Sequence, residues 1–445
     1  MTRYVIIGGS AAGIQAAEDI RRLDARGEII VLSAEKHYPY SRCLISRYAE
    51  GKLTAEQLRF RTGHFFEDWR VRGLLNTLVE RIDPQAKQVH CADKTALSYD
   101  KLLLATGARP ATPRIPGAQL SNVFTFHTLE DAERITNAAR TGEYAVVLGA
   151  GFVGLEAAYA LARIGKKVTV VERAGQILPN QLDLAGSRVI QDDLERSGVR
   201  IILNSSVSEV RGEGQVRHVV LTDHSIIPAD LVVLATGIRP NKELAEAAGL
   251  ATNRGITVNE YMQTSDPDIY AAGDVIEIED VATGKRVCSA TWFNAILQGR
   301  FAAYNMAGRR RPYTDAVGIQ NAVQFHRVPA ISFGQTLVGV EDTEEYEVMT
   351  LEKGDVYKKL VLQENRLCGM IFVGDIAKAG FYAALIRHRV GVSKVKDKLL
   401  DNDFSYAYVF KEHQFGQRTP YGATAPEWES ATFWAQRPQS VGIAR

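Results

Sequence analysis

The feature that most constrains this chain is a strand–turn–helix pattern that occurs twice, at residues 4–13 and 145–154. In each copy a short apolar run ends in small residues and a helical pattern follows, as in a βαβ unit that binds a dinucleotide. In the first copy, Gly8 allows the turn and Gly13 allows close packing of the helix on the strand. Ser10 replaces the middle glycine and is small enough for a phosphate to approach. Backbone amides at the helix start can hold a pyrophosphate.

The second copy has all three glycines of the strict fingerprint, Gly149, Gly151 and Gly154. The apolar strand that follows ends at Glu172, the carboxylate expected about twenty residues further on. This carboxylate can accept both ribose hydroxyls and repels a 2′-phosphate, so we expect NADH to be preferred to NADPH. Arg173 beside it weakens that preference. The residues predicted to bind NADH are Gly149, Gly151, Phe152, Val153, Gly154, Glu172, Arg173 and Gly237.

The strand after the first copy, residues 28–33, ends without the carboxylate that usually binds the ribose. Glu35 lies two residues later and is the candidate for that role. An internal repeat closes each half, because residues 105–110 and 235–240 both read Ala-Thr-Gly-x-Arg-Pro. Such a small-residue turn lets the backbone pass close to a ligand. A further short apolar strand stops at Asp274, and residues 290–306 have a helical pattern.

Composition excludes several classes of protein. A net charge of +1 gives no electrostatic reason to bind nucleic acid or a membrane surface. No apolar run approaches the roughly 20 residues of a membrane span, and the first strand leaves no room for a signal peptide. The cysteines at positions 43, 91, 288 and 368 are far apart, so we predict no disulfide framework and no metal site. We expect a cytoplasmic enzyme.

These patterns predict an α/β fold with two Rossmann-like, three-layer dinucleotide-binding domains and a C-terminal α+β domain. The third domain should contain strands at 346–351, 355–363 and 367–373 and a helix at about 377–388. The last residues are rich in aromatic side chains, which leaves two interpretations. One is an extended arm that packs on its own chain or on a second copy of it, and the other is a docking surface for a partner. The predicted boundaries are 1–112 and 236–312, 113–235, 313–402, and 403–445.

Residues 1–310 resemble the flavoprotein disulfide reductase superfamily with two dinucleotide domains, whose fold is glutathione-reductase-like. The order that carries the resemblance is fingerprint, Ala-Thr-Gly, second fingerprint, Ala-Thr-Gly and Gly-Asp. It implies FAD in the first domain, NAD(P)H in the second, and Asp274 on the ribityl chain of FAD. The helix that starts near Thr291 would point its N-terminus at the flavin. The implied FAD set is Gly8, Ser10, Ala12, Gly13, Glu35, Arg42, Ala105, Thr106, Gly107, Gly273, Asp274, Thr291 and Trp292.

Residues 320–402 are similar to the C-terminal domain of NADH:rubredoxin reductases and of the large subunits of NADH-dependent nitrite reductases. The similar segments are Tyr-Lys-Lys-Leu-Val-Leu at 357–362, residues 369–375, and Lys-Asp-Lys-Leu-Leu at 396–400. No cysteine cluster for siroheme or an iron–sulfur centre follows. We therefore do not expect a complete nitrite reductase.

The segment 38–53 carries the chemistry and has two interpretations. Compared with NADH oxidases and coenzyme A-disulfide reductases, Cys43 aligns with their single redox-active cysteine. Compared with oxygenase-type ferredoxin reductases, Arg47 takes the place of a lysine near flavin N5, which pairs with a glutamate matching Glu156. A buried carboxylate needs a cation, so an Arg47–Glu156 pair is expected. If Cys43 is a thiolate, Arg42, Arg47 and a helix N-terminus should lower its pKa; otherwise it is a small apolar residue lining the flavin.

The resemblance thus implies an FAD-dependent oxidoreductase that takes hydride from NADH onto flavin N5. The favoured acceptor is a rubredoxin- or ferredoxin-type iron–sulfur protein or a partner redox enzyme. The alternative is an NADH oxidase or a coenzyme A-disulfide or persulfide reductase with Cys43 as redox-active thiol. A flavoprotein that senses NADH is a third interpretation. The sequence leaves a homodimer, the direction of transfer and the identity of the acceptor open.

Overall fold

The computed structural model describes residues 1–338, 345–405 and 409. The chain divides into two compact units, residues 1–391 and 392–445. Most of the predicted tail, 403–445, lies outside the described residues. The helices, numbered along the chain, are α1 (Ala11–Leu23), α2 (Ile45–Ala49), α3 (Phe65–Asp68), α4 (Leu129–Ala139), α5 (Phe152–Arg163), α6 (Leu184–Arg196), α7 (Glu243–Ala247), α8 (Trp292–Met306) and α9 (Ala379–Arg387). Short 3₁₀ helices span Arg42–Leu44 in the first unit and Lys396–Lys398 in the second.

The first fingerprint lies at the centre of a five-stranded parallel sheet. The middle strand, β1 (Arg3–Ile7), pairs with β2 (Glu28–Leu32) on one side and with β7 (Lys101–Leu104) on the other. Its apolar residues are fully buried, as expected for a parallel sheet covered on both faces. The sheet order is β19 (Ile269–Ala271), β7 (Lys101–Leu104), β1 (Arg3–Ile7), β2 (Glu28–Leu32) and β3 (Arg72–Leu74). Helix α1 packs against α8 on one face of this sheet.

The second fingerprint lies at the centre of another five-stranded parallel sheet with the same arrangement. Its order is β12 (Arg200–Ile202), β11 (Lys167–Val171), β10 (Tyr144–Leu148), β16 (Leu231–Leu234) and β9 (Val123–Thr125). Helices α1 and α5 both begin at the carboxyl end of the central strand. The two Rossmann-like domains predicted from the sequence are therefore present, and each places its helix N-terminus where a dinucleotide binds.

The two Ala-Thr-Gly-x-Arg-Pro repeats pair with each other. Strand β8 (Ala108–Pro110) runs antiparallel to β17 (Ile238–Pro240), with Arg109 opposite Arg239. The Thr106 hydroxyl donates to the carbonyl of Asn241 at 2.8 Å, and the Asn241 amide donates back to the Thr106 carbonyl at 2.9 Å. This two-stranded ribbon is where the chain passes between the two dinucleotide domains, so the repeat has a structural role in addition to forming a turn.

Three small sheets are inserted in the dinucleotide domains. The sheets contain β4 (Val79–Asp83), β5 (Gln88–Cys91) and β6 (Ala96–Ser98); β13 (Val207–Glu213), β14 (Gln215–Leu221) and β15 (Ile226–Pro228); and β18 (Ile256–Thr257), β20 (Ile276–Glu279) and β21 (Arg286–Val287). None of the helices among the described residues is long and apolar enough to cross a membrane.

The C-terminal α+β region contains an antiparallel sheet and α9. The sheet order is β22 (Gln320–Gln324), β23 (Pro329–Gly334), β26 (Arg366–Val373), β25 (Val356–Gln363) and β24 (Glu347–Lys353). The three strands and the helix predicted here are each found within two residues of their expected bounds. This sheet contacts α6 through Tyr357, whose hydroxyl donates to Asp183 at 2.5 Å.

Candidate active site

A cavity of about 690 Å³ opens at the carboxyl ends of the first parallel sheet. Gly8 has a φ of +125°, and a Cβ at this position would overlap the carbonyl oxygen of Ala105. A Cβ at Gly13 would overlap the carbonyl of Gly8. Both positions therefore require glycine, and together they bring the backbone of the turn to the edge of the cavity.

Most of the predicted FAD set converges on this one cavity. Gly13 and Thr291 do not line it, because Gly13 packs beneath the turn and Thr291 caps α8, accepting a bond from the Asn294 amide at 3.3 Å. The predicted residues that line the cavity are Gly8, Ser10, Ala12, Glu35, Arg42, Ala105, Thr106, Gly107, Gly273, Asp274 and Trp292.

The environment of Asp274 suits a carboxylate that accepts hydrogen bonds from the hydroxyls of a ligand. Burial raises its pKa to about 6, and the positive charge of Arg42 opposes that rise only in part. Among the described residues, no protein group donates a hydrogen bond to this carboxylate. The carboxylate lines the cavity without a protein donor, and the hydroxyls of a ribityl chain would supply one. The cavity therefore fits the FAD that the resemblance implies.

Glu35 is bound by protein groups on both of its oxygens. It forms an ion pair with Arg42 and accepts a hydrogen bond from the Tyr40 hydroxyl at 2.5 Å. The same hydroxyl accepts the backbone amide of Leu129 at 2.9 Å, and Arg42 also donates to the carbonyl of His127 at 2.8 Å. This network ties the first domain to the start of α4 in the second. The role of Glu35 in binding ribose stays a prediction.

Among the cavity residues that sequence reasoning did not single out are His37, Tyr40 and His127. The Nε2 atom of His37 is buried and has no hydrogen-bond partner. Burial, assisted by the nearby Arg42, lowers the pKa of His127 to about 4, so this imidazole is neutral at physiological pH. No local motif marks these residues, because their partners come from distant parts of the chain.

Cys43 lines the cavity in the short 3₁₀ helix that precedes α2, and its side chain is exposed there. The described surroundings of Cys43 do not favour the lowered pKa that the thiolate interpretation requires. Burial in the cavity wall raises the pKa of the thiol, and the carboxylates of Asp274 and Glu156 raise it further. The two arginines expected to stabilise a thiolate are each bound elsewhere, Arg42 by Glu35 and Arg47 by Glu50.

The expected Arg47–Glu156 ion pair is absent from the described structure. Arg47 instead pairs with Glu50, which lies three residues further on and is reached at 3.1 Å. That spacing places both side chains on one side of a helical turn, so the local partner competes with the distant one. Arg47 does not line the cavity, whereas Glu156 does. Burial raises the pKa of Glu156, although Ser46 and Arg47 oppose that rise.

The second fingerprint repeats the geometry of the first. Gly149 has a φ of +102°, and a Cβ there would overlap the carbonyl oxygen of Ala235. A Cβ at Gly151 would meet nothing within 4 Å, which leaves open space for a phosphate. Glu172 is 8% exposed and accepts the backbone amides of Ala150 at 2.7 Å and of Ala174 at 2.8 Å.

The predicted NADH residues separate into two groups. Phe152 and Val153, at the start of α5, reach the cavity of the first domain, as does Glu156 one turn later. The others do not line that cavity: Gly149, Gly151, Gly154, Glu172, Arg173 and Gly237. The first turn of α5, which belongs to the second fingerprint, therefore lies at the cavity of the first domain.

The fold and the two glycine cradles define a protein with two dinucleotide-binding domains. Residues 2–299 match the family described as pyridine nucleotide-disulphide oxidoreductase, and the chain belongs to that family. Over 407 residues it is 31% identical to the assimilatory nitrate reductase electron transfer subunit of Bacillus subtilis, covering 91% of this chain and 51% of that protein. Over 310 residues it is 34% identical to the rubredoxin-NAD(+) reductase of Pseudomonas putida, covering 69% of this chain and 80% of that protein.

A solved structure is similar over most of the chain. The NAD-dependent persulfide reductase from A. fulgidus superposes with a TM-score of 0.83 at 31% identity, covering 91% of this chain and 80% of that one. The chain spans about half the length of the curated nitrate and nitrite reductase relatives that it matches. These similarities confirm the superfamily, the fold class, and FAD and NADH as cofactors.

Proposed function

We propose that this enzyme carries electrons from NADH, through FAD, to a small iron protein of the rubredoxin or ferredoxin type. When bound, FAD accepts a hydride from NADH and releases the two electrons one at a time, which suits a one-electron carrier. The similarity to a rubredoxin-NAD(+) reductase supports this acceptor. A partner redox enzyme with such a centre is consistent with the similarity to an electron transfer subunit.

The observation that carries the proposal is the pairing of the two arginines near Cys43. Arg42 is bound to Glu35, and Arg47 is bound to Glu50. The thiol faces Asp274 and Glu156 instead, and both carboxylates raise its pKa. A redox-active cysteine requires a stabilised thiolate, and this surrounding does the opposite. These surroundings support a route in which electrons leave the flavin site without passing through Cys43.

In this account each part of the chain has a separate task. The turn at Gly8 and the amides of α1 hold the pyrophosphate of FAD, and Asp274 accepts from its ribityl hydroxyls. The N-terminus of α8, beginning at Trp292, directs its positive end toward the flavin and favours negative charge there. Glu172 holds the adenosine ribose of NADH. Glu156 stands where the nicotinamide must enter the cavity.

Redox chemistry at Cys43 is the second candidate. Its side chain is exposed within the cavity, and the chain is similar to a persulfide reductase structure. In this alternative, a disulfide or persulfide acceptor reacts with the cysteine sulfur after NADH has reduced the enzyme. The two candidates predict different behaviour for the same variant.

The test measures NADH-dependent reduction of a rubredoxin and of a [2Fe–2S] ferredoxin by the holoenzyme. We expect Cys43→Ser to retain kcat for the better carrier within about twofold, as should the control Cys288→Ser, since Cys288 does not line the cavity. A loss of more than about tenfold in Cys43→Ser alone would contradict the proposal. So would turnover of coenzyme A disulfide that depends on Cys43 and exceeds turnover of both carriers.

A further inference from the structure

Glu156 is the charged side chain that belongs to the NADH domain and reaches into the FAD cavity. It lies on α5 one turn after the fingerprint glycines, and Phe152 and Val153 of the same turn also line the cavity. Hydride transfer requires the nicotinamide and flavin rings to be in contact. The nicotinamide must therefore enter where α5 lines the cavity, beside Glu156.

Glu156 lacks the cation that its position calls for because Glu50 holds Arg47. The Arg47 guanidinium lies 3.1 Å from one oxygen of Glu50 and 3.4 Å from the other. Lys52 approaches the same carboxylate at 2.5 Å. The side chain of Glu50 is only 1% exposed, so this carboxylate depends on its two cations. Glu50 and Glu156 thus compete for one arginine, and Glu50 has it.

The groups that face Glu156 come mainly from the neighbouring segment that includes α2. Ser46 hydrogen-bonds to the carboxyl, and Arg47 and Glu50 act on it through their charges with opposite effects. Cys43 also lines the cavity. Burial has the largest effect and raises the pKa of Glu156. The carboxyl therefore stays protonated to a higher pH than an ordinary glutamic acid.

We propose that Glu50, by holding Arg47, leaves Glu156 as a proton-holding carboxyl whose charge state sets the affinity of the site for NAD⁺ relative to NADH. Glu50 is then a positioning residue, and Glu156 acts on the nicotinamide. The proposal refines the NADH-dependent function proposed above but makes no use of the identity of the acceptor.

The physical basis is the charge of the nicotinamide ring. The ring of NAD⁺ is positive, and the ring of NADH is neutral. An ionised Glu156 attracts the first and has little effect on the second, whereas a protonated Glu156 favours neither. NAD⁺ binding consequently lowers the pKa of Glu156 and releases a proton to solvent at pH values near that pKa. At low pH the product NAD⁺ is bound weakly and departs readily.

The test uses the oxidised holoenzyme and isothermal titration calorimetry from about pH 5 to about pH 9. The two probes are NAD⁺ and 1,4,5,6-tetrahydro-NAD, an analogue with an uncharged ring that cannot donate hydride. We expect the affinity for NAD⁺ to increase about tenfold across this range, and the affinity for the analogue to change less than about twofold. Buffers of different ionisation enthalpy should reveal proton release on binding of NAD⁺ alone.

Three variants test whether the pH dependence of NAD⁺ affinity arises from Glu156 and is set by Glu50. Glu156→Gln should bind NAD⁺ weakly at every pH and release no proton. Glu50→Gln frees Arg47 to pair with Glu156. The midpoint of the pH dependence of NAD⁺ affinity should therefore move to lower pH. Lys52→Gln is the matched control, because it removes the other cation of Glu50 and leaves Arg47 bound to it, so the midpoint should stay within a few tenths of a pH unit.

Two results would overturn the inference. One is an affinity for NAD⁺ that changes with pH no more than that for the uncharged analogue. The other is an unchanged pH dependence in Glu156→Gln, which would assign it to Asp274 or another group in the cavity. Both are equilibrium measurements without an electron acceptor, so they are independent of whether the enzyme reduces an iron protein or uses Cys43.

Discussion

The backbone at Gly8 lies against the carbonyl of Ala105, so the first fingerprint and the first Ala-Thr-Gly turn are in direct contact. Gly149 and Ala235 have the same relationship in the second domain. The glycine and the alanine in each pair are separated by more than 80 residues, yet both follow parallel, neighbouring strands. The repeat is therefore a structural unit in which each turn forms one wall of a dinucleotide site.

Gly149 and Gly151 should fail in different ways when each is replaced by alanine. Gly149→Ala places a Cβ on the carbonyl of Ala235 in a residue with positive φ, so it should lower stability by about 2 kcal/mol or more. Gly151→Ala has room in the free protein and should fold normally, but its methyl group would occupy the space needed by the pyrophosphate. Thermal unfolding and NADH affinity distinguish the two. Equal loss of stability in both variants would contradict this account.

Glu172→Ala should weaken NADH binding about tenfold and leave NADPH binding nearly unchanged. The reason is that the carboxylate accepts the ribose hydroxyls of NADH and repels a 2′-phosphate. The same carboxylate accepts the amides of Ala150 and Ala174, so a melting curve of the variant must accompany the affinities. An equal loss for both nucleotides would mean that Glu172 only organises the loop.

Asp274→Asn should make the apoprotein more stable at pH 8 and should weaken the binding of FAD. The pKa of Asp274 is about 6 in the folded protein and 3.8 as its ordinary value. A raised carboxyl pKa means that folding favours the protonated form, so stability falls as pH rises from about 4 through about 6. Removing the charge should increase the free energy of unfolding by up to about 3 kcal/mol at pH 8 and by little at pH 4. Denaturant unfolding at both pH values checks the sign, and the same gain at pH 4 would contradict it.

The contact between α6 and the C-terminal sheet depends on Asp183. Its carboxylate accepts from Tyr357 at 2.5 Å and pairs with Lys359 at 3.1 Å, whose side chain is 5% exposed. Tyr357→Phe removes one hydrogen bond and should lower the free energy of unfolding by about 1 kcal/mol. Asp183→Asn leaves a buried ammonium without its carboxylate and should cost about 3 kcal/mol. Chemical denaturation measures both, and a smaller loss for Asp183→Asn would show that Lys359 finds another partner.

The sequence was sufficient for the elements that depend on local patterns. Both fingerprints, the helix α8 and the strands of the C-terminal sheet follow from hydrophobic periodicity and glycine spacing. The residues that line the cavity were also largely predicted, since the carboxyl ends of parallel strands meet at one edge. The domain boundaries and the residue roles remain predictions.

Side-chain pairing was less predictable. The expected ion pair between Arg47 and Glu156 rested on the family resemblance and on the need of a buried carboxylate for a cation. Glu50 lies closer to Arg47 along the helix, and its side chain is itself buried. A lowered pKa of Cys43 would require Arg42 and Arg47 to act on the thiol, whereas Glu35 and Glu50, which are also near in sequence, bind these arginines. His127 and Tyr40 gave no signal, because their roles arise from contacts with distant segments.

The central claim is that electrons pass from NADH through FAD to an external carrier without a redox-active cysteine. Anaerobic reductive titration of the purified holoenzyme, with and without Cys43→Ser, tests it most directly. We predict an uptake of two electrons per FAD in both proteins. An uptake of four electrons in the wild type that falls to two in Cys43→Ser would contradict the claim and assign the chemistry to Cys43.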